Sequence, residues 1–206
     1  MGQRRPVGAR ELGASRAIAH WLATRGIGAN AISLAGLGFA LLAGAILAFG
    51  PDRAAWPWLA AAVLVELRLA CNMFDGMVAL ERGAASKLGE LYNEIPDRVA
   101  DAAVLIGLGY AAEGAIWLGY VAALLAVFTA YVRVFGVSLG APADFRGPMA
   151  KPTRMHLVAL TALICAGTNL AGSHDDRIVT LALAVIALGA LVTALRRIMR
   201  LADSIR

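Results

Sequence analysis

Charged residues, cysteines and histidines are all scarce in this chain. Only 16% of its 206 residues are charged, and it has two cysteines and three histidines. A disulfide framework or a zinc centre needs such residues at close, regular spacing, which His20, His156 and His174 lack. Cys71 and Cys165 lie in apolar segments, where packing is the expected role of a small side chain. The sequence therefore argues against both kinds of site.

Apolar residues dominate instead. They make up 60% of the chain, and the mean hydropathy is +0.70, which exceeds what a soluble domain needs for one core. A hydrocarbon layer of about 30 Å is crossed by roughly twenty apolar residues in a helix. We therefore predict an all-α membrane protein with six transmembrane helices in one bundle, at residues 31–50, 54–80, 87–112, 115–140, 153–172 and 177–197.

The first 28 residues differ from the rest. Arginines interrupt any apolar run there, which argues against a signal peptide, and the periodicity predicts an amphipathic helix at the membrane interface. The alternative is a partly ordered basic tail. We expect residues 1–28 to be this juxtamembrane segment and 29–206 the transmembrane domain. The predicted apolar face is Ala14, Ile18, Trp21 and Leu22, with Arg10, Arg16 and Arg25 around the rest.

Basic residues are distributed unevenly among the predicted connections. The two terminal segments and the connections near 82–87 and 146–154 are basic, whereas the opposite side has only Arg53 and Arg177. Short basic segments stay in the cytoplasm, so both termini are predicted to be cytoplasmic. The net charge of +5 suits anionic membrane lipids as partners. No basic face lies outside the predicted bundle, so we expect no nucleic-acid partner.

The second and third predicted spans each carry polar residues at helical intervals. Polar groups are costly in hydrocarbon, so such a cluster indicates a functional site. With about 100° per residue, each set falls on one stripe of its helix. The stripes are Arg68, Asn72, Asp75 and Ala79 in one span, and Gly89, Glu90, Asn93, Asp97 and Asp101 in the other.

A short connection makes these two spans antiparallel neighbours in the prediction. Their oxygen-bearing side chains then meet near the cytoplasmic ends, in a pocket suited to Mg²⁺ or Mn²⁺ rather than zinc. Gly76 and Gly89 leave room for a ligand, and Pro96 is expected to kink the third span. One turn deeper, Arg68 is predicted to pair with Asp101, because an isolated charge at that depth is expensive.

The same residues resemble the signature of the CDP-alcohol phosphotransferases. That signature is Asp-x-x-Asp-Gly-x-x-Ala-Arg, followed by Gly-x-x-x-Asp-x-x-x-Asp. Asp75, Gly76, Ala79, Gly89 and Asp97 match it without a gap. The similarity extends to residues 29–33, 131–133 and 151–154. It implies a six-helix bundle that uses two divalent metals to transfer a substituted phosphate from a CDP-linked donor to an alcohol, with release of CMP.

The resemblance also implies roles for single residues. Asp97 would be the general base and, with Asp75, a metal ligand. Asn72 and Asn93 would be weakened ligands, with Glu90 and Glu94 adding negative charge. The cytidine site would be lined by Gly76 and Ala79, with Asn72, Asp75 and Gly89 beside them. Arg133, Lys151 and Arg154 would hold a phosphate. The alternatives are an ion pair with an unidentified partner for Arg133 and a purely topological role for Lys151 and Arg154.

The chain departs from the signature at three positions. Asn72 and Asn93 stand where the family has aspartates, and Leu80 replaces the arginine. Each amide keeps an oxygen but loses a charge. We interpret the chain as a variant bacterial branch with a working metal site, located in the inner membrane and acting on CDP-diacylglycerol and an alcohol in phospholipid biosynthesis.

Two other functions stay open on the sequence alone. One is a catalytically impaired member that binds nucleotide or lipid. The other is a small transporter using Glu66 and Arg68 as a relay, for which the sequence has no inverted repeat. The acceptor alcohol and the oligomeric state are also open, with a homodimer as one option.

Overall fold

The computed structural model describes residues 12–50, 53–83, 87–112, 114–173, 175 and 177–205, and the described part contains only helices and their connections. This confirms the all-α prediction. The helices are α1 Gly13–Thr24, α2 Ala29–Phe49, α3 Ala55–Glu81, α4 Lys87–Tyr110, α5 Ile116–Ser138, α6 Lys151–Leu170 and α7 Arg177–Ser204. Each of the six predicted spans corresponds to one of α2 to α7.

Three of the described helices are long and apolar enough to cross a membrane by length and composition: α2, α5 and α7. The long helices α3, α4 and α6 carry the charged residues that enter the site, such as Arg68, Asp101 and Arg154. Charges lower the mean hydropathy of a segment whether they face lipid or the protein interior. The count of six spans therefore stays a prediction.

The helices pack in a defined order around α4. Helix α2 packs against both α3 and α4, α3 against α6, α4 against α5, and α5 against α7. A Cβ added at Gly107 would lie 2.3 Å from the carbonyl oxygen of Gly44, and one at Gly109 would lie 2.8 Å from Cα of Gly119. Small residues let helix backbones approach closely where packing drives association. These glycines therefore hold α4 tightly between α2 and α5.

Helices α3 and α4 are not close backbone neighbours, although the sequence predicts it. Among the described residues, the extensive contacts of α3 are with α2 and α6 and those of α4 are with α2 and α5. Long side chains, including Arg68 and Asn72, span the seam between α3 and α4 and bond to residues of α4. The helices are thus antiparallel and are joined through these side chains rather than by close backbone packing.

A helix also forms in the predicted juxtamembrane segment. Ser15 and Ala19 of α1 are buried, and His20 Nδ1 lies 2.5 Å from Glu81 Oε1 at the end of α3. Ile18 and Trp21, from the predicted apolar face, are exposed, which is compatible with contact to lipid. The position of α1 at the membrane interface stays a prediction. Arg10 lies outside the described residues.

Candidate active site

Asp97 is the residue at which three helices meet. Its Oδ1 accepts hydrogen bonds from Arg68 Nη2 at 3.1 Å and from Asn72 Nδ2 at 3.0 Å, both from α3. Its Oδ2 contacts the ammonium of Lys151, the first residue of α6. The Asp97 side chain is 16% exposed. A carboxylate oriented by several donors and still reachable from outside has the placement that a general base needs.

The two asparagines lie beside Asp97, as the two polar stripes predict. Asn72 Nδ2 donates to Asn93 Oδ1 at 3.2 Å and also lies 3.2 Å from Asp97 Oδ2. The stripes of α3 and α4 therefore meet through Asn72, Asn93 and Asp97. Gly76, Ala79 and Gly89 are half-buried. The side chain of Glu90 lies outside the described residues.

Asp101 forms the buried floor of the site. Its Oδ1 lies 2.7 Å from Arg68 Nη2, the pairing predicted from the sequence, and its Oδ2 lies 2.7 Å from Arg154 Nη2. Arg154 also donates to the carbonyl oxygen of Met149 at 3.3 Å and is only 1% exposed. One buried carboxylate thus joins cations from two other helices. In this arrangement Arg154 anchors α6 to α4, whereas Lys151 faces Asp97.

Asp75 has a different environment from the other two aspartates. Its Oδ2 accepts a hydrogen bond from Ser33 of α2 at 2.7 Å, whereas its Oδ1 is buried without a hydrogen-bond partner. The residue is 4% exposed. A buried carboxylate oxygen that lacks a partner is costly, and a cation would satisfy it.

Asp75 and Asp97 line one small cleft. Its volume is about 10 Å³, enough for one water-sized species, and Asn72 and Ser33 lie on its wall. No cluster of three or more histidines, cysteines and carboxylates is assembled among the described residues. The donors are instead two carboxylates, with the hydroxyl of Ser33 and the amide of Asn72 beside them. This set, with the unpaired Oδ1 of Asp75, fits a hard divalent cation such as Mg²⁺ or Mn²⁺.

Glu94 and Arg133 form a second group at the rim. Arg133 Nη2 lies 2.7 Å from Glu94 Oε1, and Arg98 Nη2 lies 2.6 Å from Glu94 Oε2. Glu94 is thus the ion-pair partner that the sequence alone did not identify for Arg133. Because two arginines neutralise Glu94, its placement does not favour the predicted role of adding charge to the metal site. The guanidinium of Arg133 also lies 5.2 Å from the ring centre of Phe145.

Comparison with known proteins identifies the family. The sequence model of the CDP-alcohol phosphatidyltransferases matches residues 27–195. The chain belongs to this family. It is a membrane transferase of phospholipid biosynthesis, so the family and the activity predicted from the motif are both confirmed.

Two bacterial relatives support this assignment. The chain is 28% identical over 148 residues to the inner membrane protein YnbA of Escherichia coli, covering 71% of this chain and 72% of that protein. It is 26% identical over 190 residues to a phosphatidylinositol phosphate synthase of Streptomyces avermitilis, covering 87% of this chain and 74% of that enzyme.

Solved structures show the same fold. The phosphatidylinositol phosphate synthase of Mycobacterium tuberculosis with CDP-DAG bound gives a TM-score of 0.75 at 18% identity, covering 91% of this chain and 92% of that one. The same enzyme in complex with manganese and citrate gives a TM-score of 0.74 at 20% identity, covering 91% and 88%. The architecture of this CDP-alcohol phosphatidyltransferase is thus that of a known membrane enzyme.

Sequence reasoning missed Ser33 and the 139–150 loop. Ser33 lies in the 29–33 segment of the family resemblance, but only the folded helices show that it donates to Asp75. Its signal was a hydroxyl on an otherwise apolar helix. The contacts of the loop with α7 join residues far apart in the sequence, so spacing along the chain could not predict them.

Proposed function

We propose that this CDP-alcohol phosphatidyltransferase transfers a phosphatidyl group from CDP-diacylglycerol to an alcohol and releases CMP. The observation that carries the proposal is the cleft lined by Asp75 and Asp97, with Lys151 in contact with Asp97 and one oxygen of Asp75 buried without a hydrogen-bond partner. The arrangement brings together a proton acceptor, a phosphate-binding cation and a metal ligand. Phosphoryl transfer uses these three kinds of group.

The reaction follows from these positions. The alcohol oxygen bonds to the phosphorus attached to the lipid, the bond from that phosphorus to the CMP oxygen breaks, and CMP leaves. Asp97 takes the proton of the alcohol. Lys151 and Arg133 carry the positive charge that attracts substrate phosphates.

A divalent cation fits the same cleft. Asp75 and Asp97, with the amide oxygens of Asn72 and Asn93, would hold Mg²⁺ or Mn²⁺; a solved relative is in complex with manganese. The ion would neutralise charge on the phosphate oxygens and position them. Gly76, Ala79 and Gly89 would admit the cytidine, by resemblance.

We also propose an orientation in the bacterial inner membrane, where the E. coli relative is named as a resident. Both termini, and with them the end of α3 and the start of α4, would face the cytoplasm. Reporter fusions at the two termini test this, and opposite locations would refute it.

The transporter interpretation has no support in the geometry. Glu66 contacts His156 at 2.9 Å on the outside of the bundle, whereas Arg68 contacts Asp101 inside it. The two residues therefore point to different partners and form no relay.

The test of the transferase is CMP release. Purified protein is incubated with labelled CDP-diacylglycerol, Mg²⁺ or Mn²⁺ and a panel of alcohols that includes phosphorylated ones. Asp97→Asn is the inactive control, and Asp203→Asn, an exposed aspartate near the C-terminus, is the matched one. Donor binding without CMP release from any alcohol would replace the transferase with a nucleotide- or lipid-binding protein.

A further inference from the structure

The loop of residues 139–150, between α5 and α6, touches three cations of the site region. The ring of Phe145 lies 5.2 Å from the guanidinium of Arg133. The carbonyl oxygen of Met149 accepts a hydrogen bond from Arg154. Lys151 follows the loop directly as the first residue of α6. The loop therefore contacts Arg133 and Arg154 and leads directly into Lys151.

Helix α7 holds this loop through three side chains on one stripe, spaced by four and then three residues. Thr193 Oγ1 accepts a hydrogen bond from the amide of Met149 at 3.0 Å. Arg197 Nε donates to the carbonyl oxygen of Arg146 at 3.0 Å, and Arg200 Nε donates to Asp144 Oδ2 at 2.6 Å. Residues at this spacing share a helix face, so one face of α7 is hydrogen-bonded to the loop at residues 144, 146 and 149.

Arg197 is the middle one of these three side chains. The residue is only 7% exposed, and its Nη1 donates to the carbonyl oxygen of Thr129 in α5 at 2.8 Å. One guanidinium thus joins α5, the loop and α7. Thr129 lies one turn before Arg133 on the same helix. A buried cation is expensive unless its bonds are satisfied, and here those bonds go to the helix that carries Arg133 and to the loop that precedes Lys151.

At Gly147 the loop lies too close to α7 for a residue with a side chain. Gly147 has φ +145°, and a Cβ there would lie 2.3 Å from Cγ2 of Thr193. A side chain at this position would push the loop away from the helix. Close contact and hydrogen bonds therefore fix the same segment independently.

We propose that Arg197 is a positioning residue for the transfer reaction, acting through the 139–150 loop to hold Arg133 and Lys151 where they meet the substrate phosphates. It touches no reacting atom. This inference rests on the proposed function, because it assumes that these cations bind the phosphates of the donor or acceptor.

The test compares Arg197→Met with Arg196→Met, a matched change at the neighbouring exposed arginine. We expect Arg197→Met to raise the KM for the CDP-linked donor or for a phosphorylated acceptor by about 10-fold or more, with a smaller change in kcat, since misplaced binding groups weaken positioning. Arg197→Lys should restore part of the loss, and Arg196→Met should leave KM unchanged. Equal losses in both methionine variants would overturn the inference.

A double-mutant cycle with Lys151→Met separates positioning from general damage. If Arg197 acts through Lys151, its replacement should cost much less in the Lys151→Met background than in the wild type. Additive effects would contradict the proposal. Should Arg197→Met fail to fold, Arg200→Met disturbs the same loop through Asp144 at a side chain that is 32% exposed, and it must show the same rise in KM.

Binding of CDP and amide hydrogen exchange in residues 141–147 keep this inference separate from the transferase proposal. Arg197→Met should speed exchange in the loop and weaken CDP binding. A wild type that binds CDP but releases no CMP would refute the transferase, and the effect of Arg197→Met on the Kd for CDP would then decide the positioning role. Faster exchange with unchanged Kd and KM would refute the positioning role alone.

Discussion

Arg68 of α3 and Asp101 of α4 form an ion pair in the interior of the bundle, with Nη2 2.7 Å from Oδ1 and each side chain 2% exposed. Arg154 binds the other oxygen of Asp101. The site region has three aspartates, of which Asp75 and Asp101 are buried and Asp97 is nearly so. It also has three cations, Arg68, Lys151 and Arg154. These formal charges balance, which makes the cluster tolerable inside a membrane protein.

Replacing Asp101 should destabilise the fold. Asp101→Asn leaves Arg68 and Arg154 without a shared anion, and breaking a buried pair costs about 3–5 kcal/mol. Arg68→Met should cost less, because Asp101 keeps Arg154. Thermal unfolding in detergent measures both, with the exposed Asp203→Asn as control. An unfolding temperature of Asp101→Asn equal to that of the wild type would contradict this account.

Replacing Asp97 should slow CMP release much more than it weakens donor binding. Asp97→Asn keeps the size of the side chain but removes the proton acceptor, so CMP release should fall by about 10²- to 10⁴-fold, the usual contribution of a general base. Donor affinity should fall much less than CMP release, because Asp75 and Asn72 still line the cleft. Single-turnover CMP release and the Kd for CDP-diacylglycerol give the two quantities. A loss confined to Kd would show that Asp97 binds substrate instead.

Metal affinity should follow the number of carboxylates at the cleft. Asp75→Asn removes the unpaired oxygen anion and should weaken Mn²⁺ and donor binding together. Asn72→Asp adds a negative charge between Asp75 and Asp97 and should tighten Mn²⁺ binding, because hard cations prefer charged oxygen ligands. Calorimetric titration with Mn²⁺ measures both, and Asp203→Asn serves as control. Unchanged Mn²⁺ affinity in both variants would place the ion elsewhere.

The 139–150 loop should become less stable in acid. Partial burial alone would raise the pKa of Asp144, but hydrogen bonds from the amide and side chain of Arg146 and from Arg200, with the charge of Arg200, lower this pKa below its usual range. A depressed pKa contributes stability above the unfolded-state value of about 3.9, and this contribution is lost as the pH falls through the folded pKa.

Hydrogen exchange in residues 141–147 checks this dependence. Asp144→Asn should exchange faster than the wild type at pH 7, and the two should converge only as the pH falls through the lowered pKa of Asp144, below its usual value of about 3.9. Convergence already near pH 6 would mean that a histidine or another group controls the loop.

The helices themselves follow from the sequence. Predicted and observed ends agree to within two residues, except that α7 continues to Ser204. Apolar segments of this length have little alternative to helix in a membrane, because each backbone polar group needs an internal partner. The polar stripes of α3 and α4 could be predicted for a related reason, since helical periodicity alone places Asn72, Asp97 and Asp101 on inward faces.

Only the tertiary structure decided which side chains meet. Ser33 with Asp75, Lys151 with Asp97 and Arg133 with Glu94 are pairs between helices, and spacing along one helix carries no information about its rotation and depth relative to another. The arginines near the end of α7 show the same limit. In the sequence they are a signal of topology, but in the fold Arg197 satisfies carbonyl oxygens of α5 and the 139–150 loop, because a buried guanidinium must find acceptors wherever packing places them.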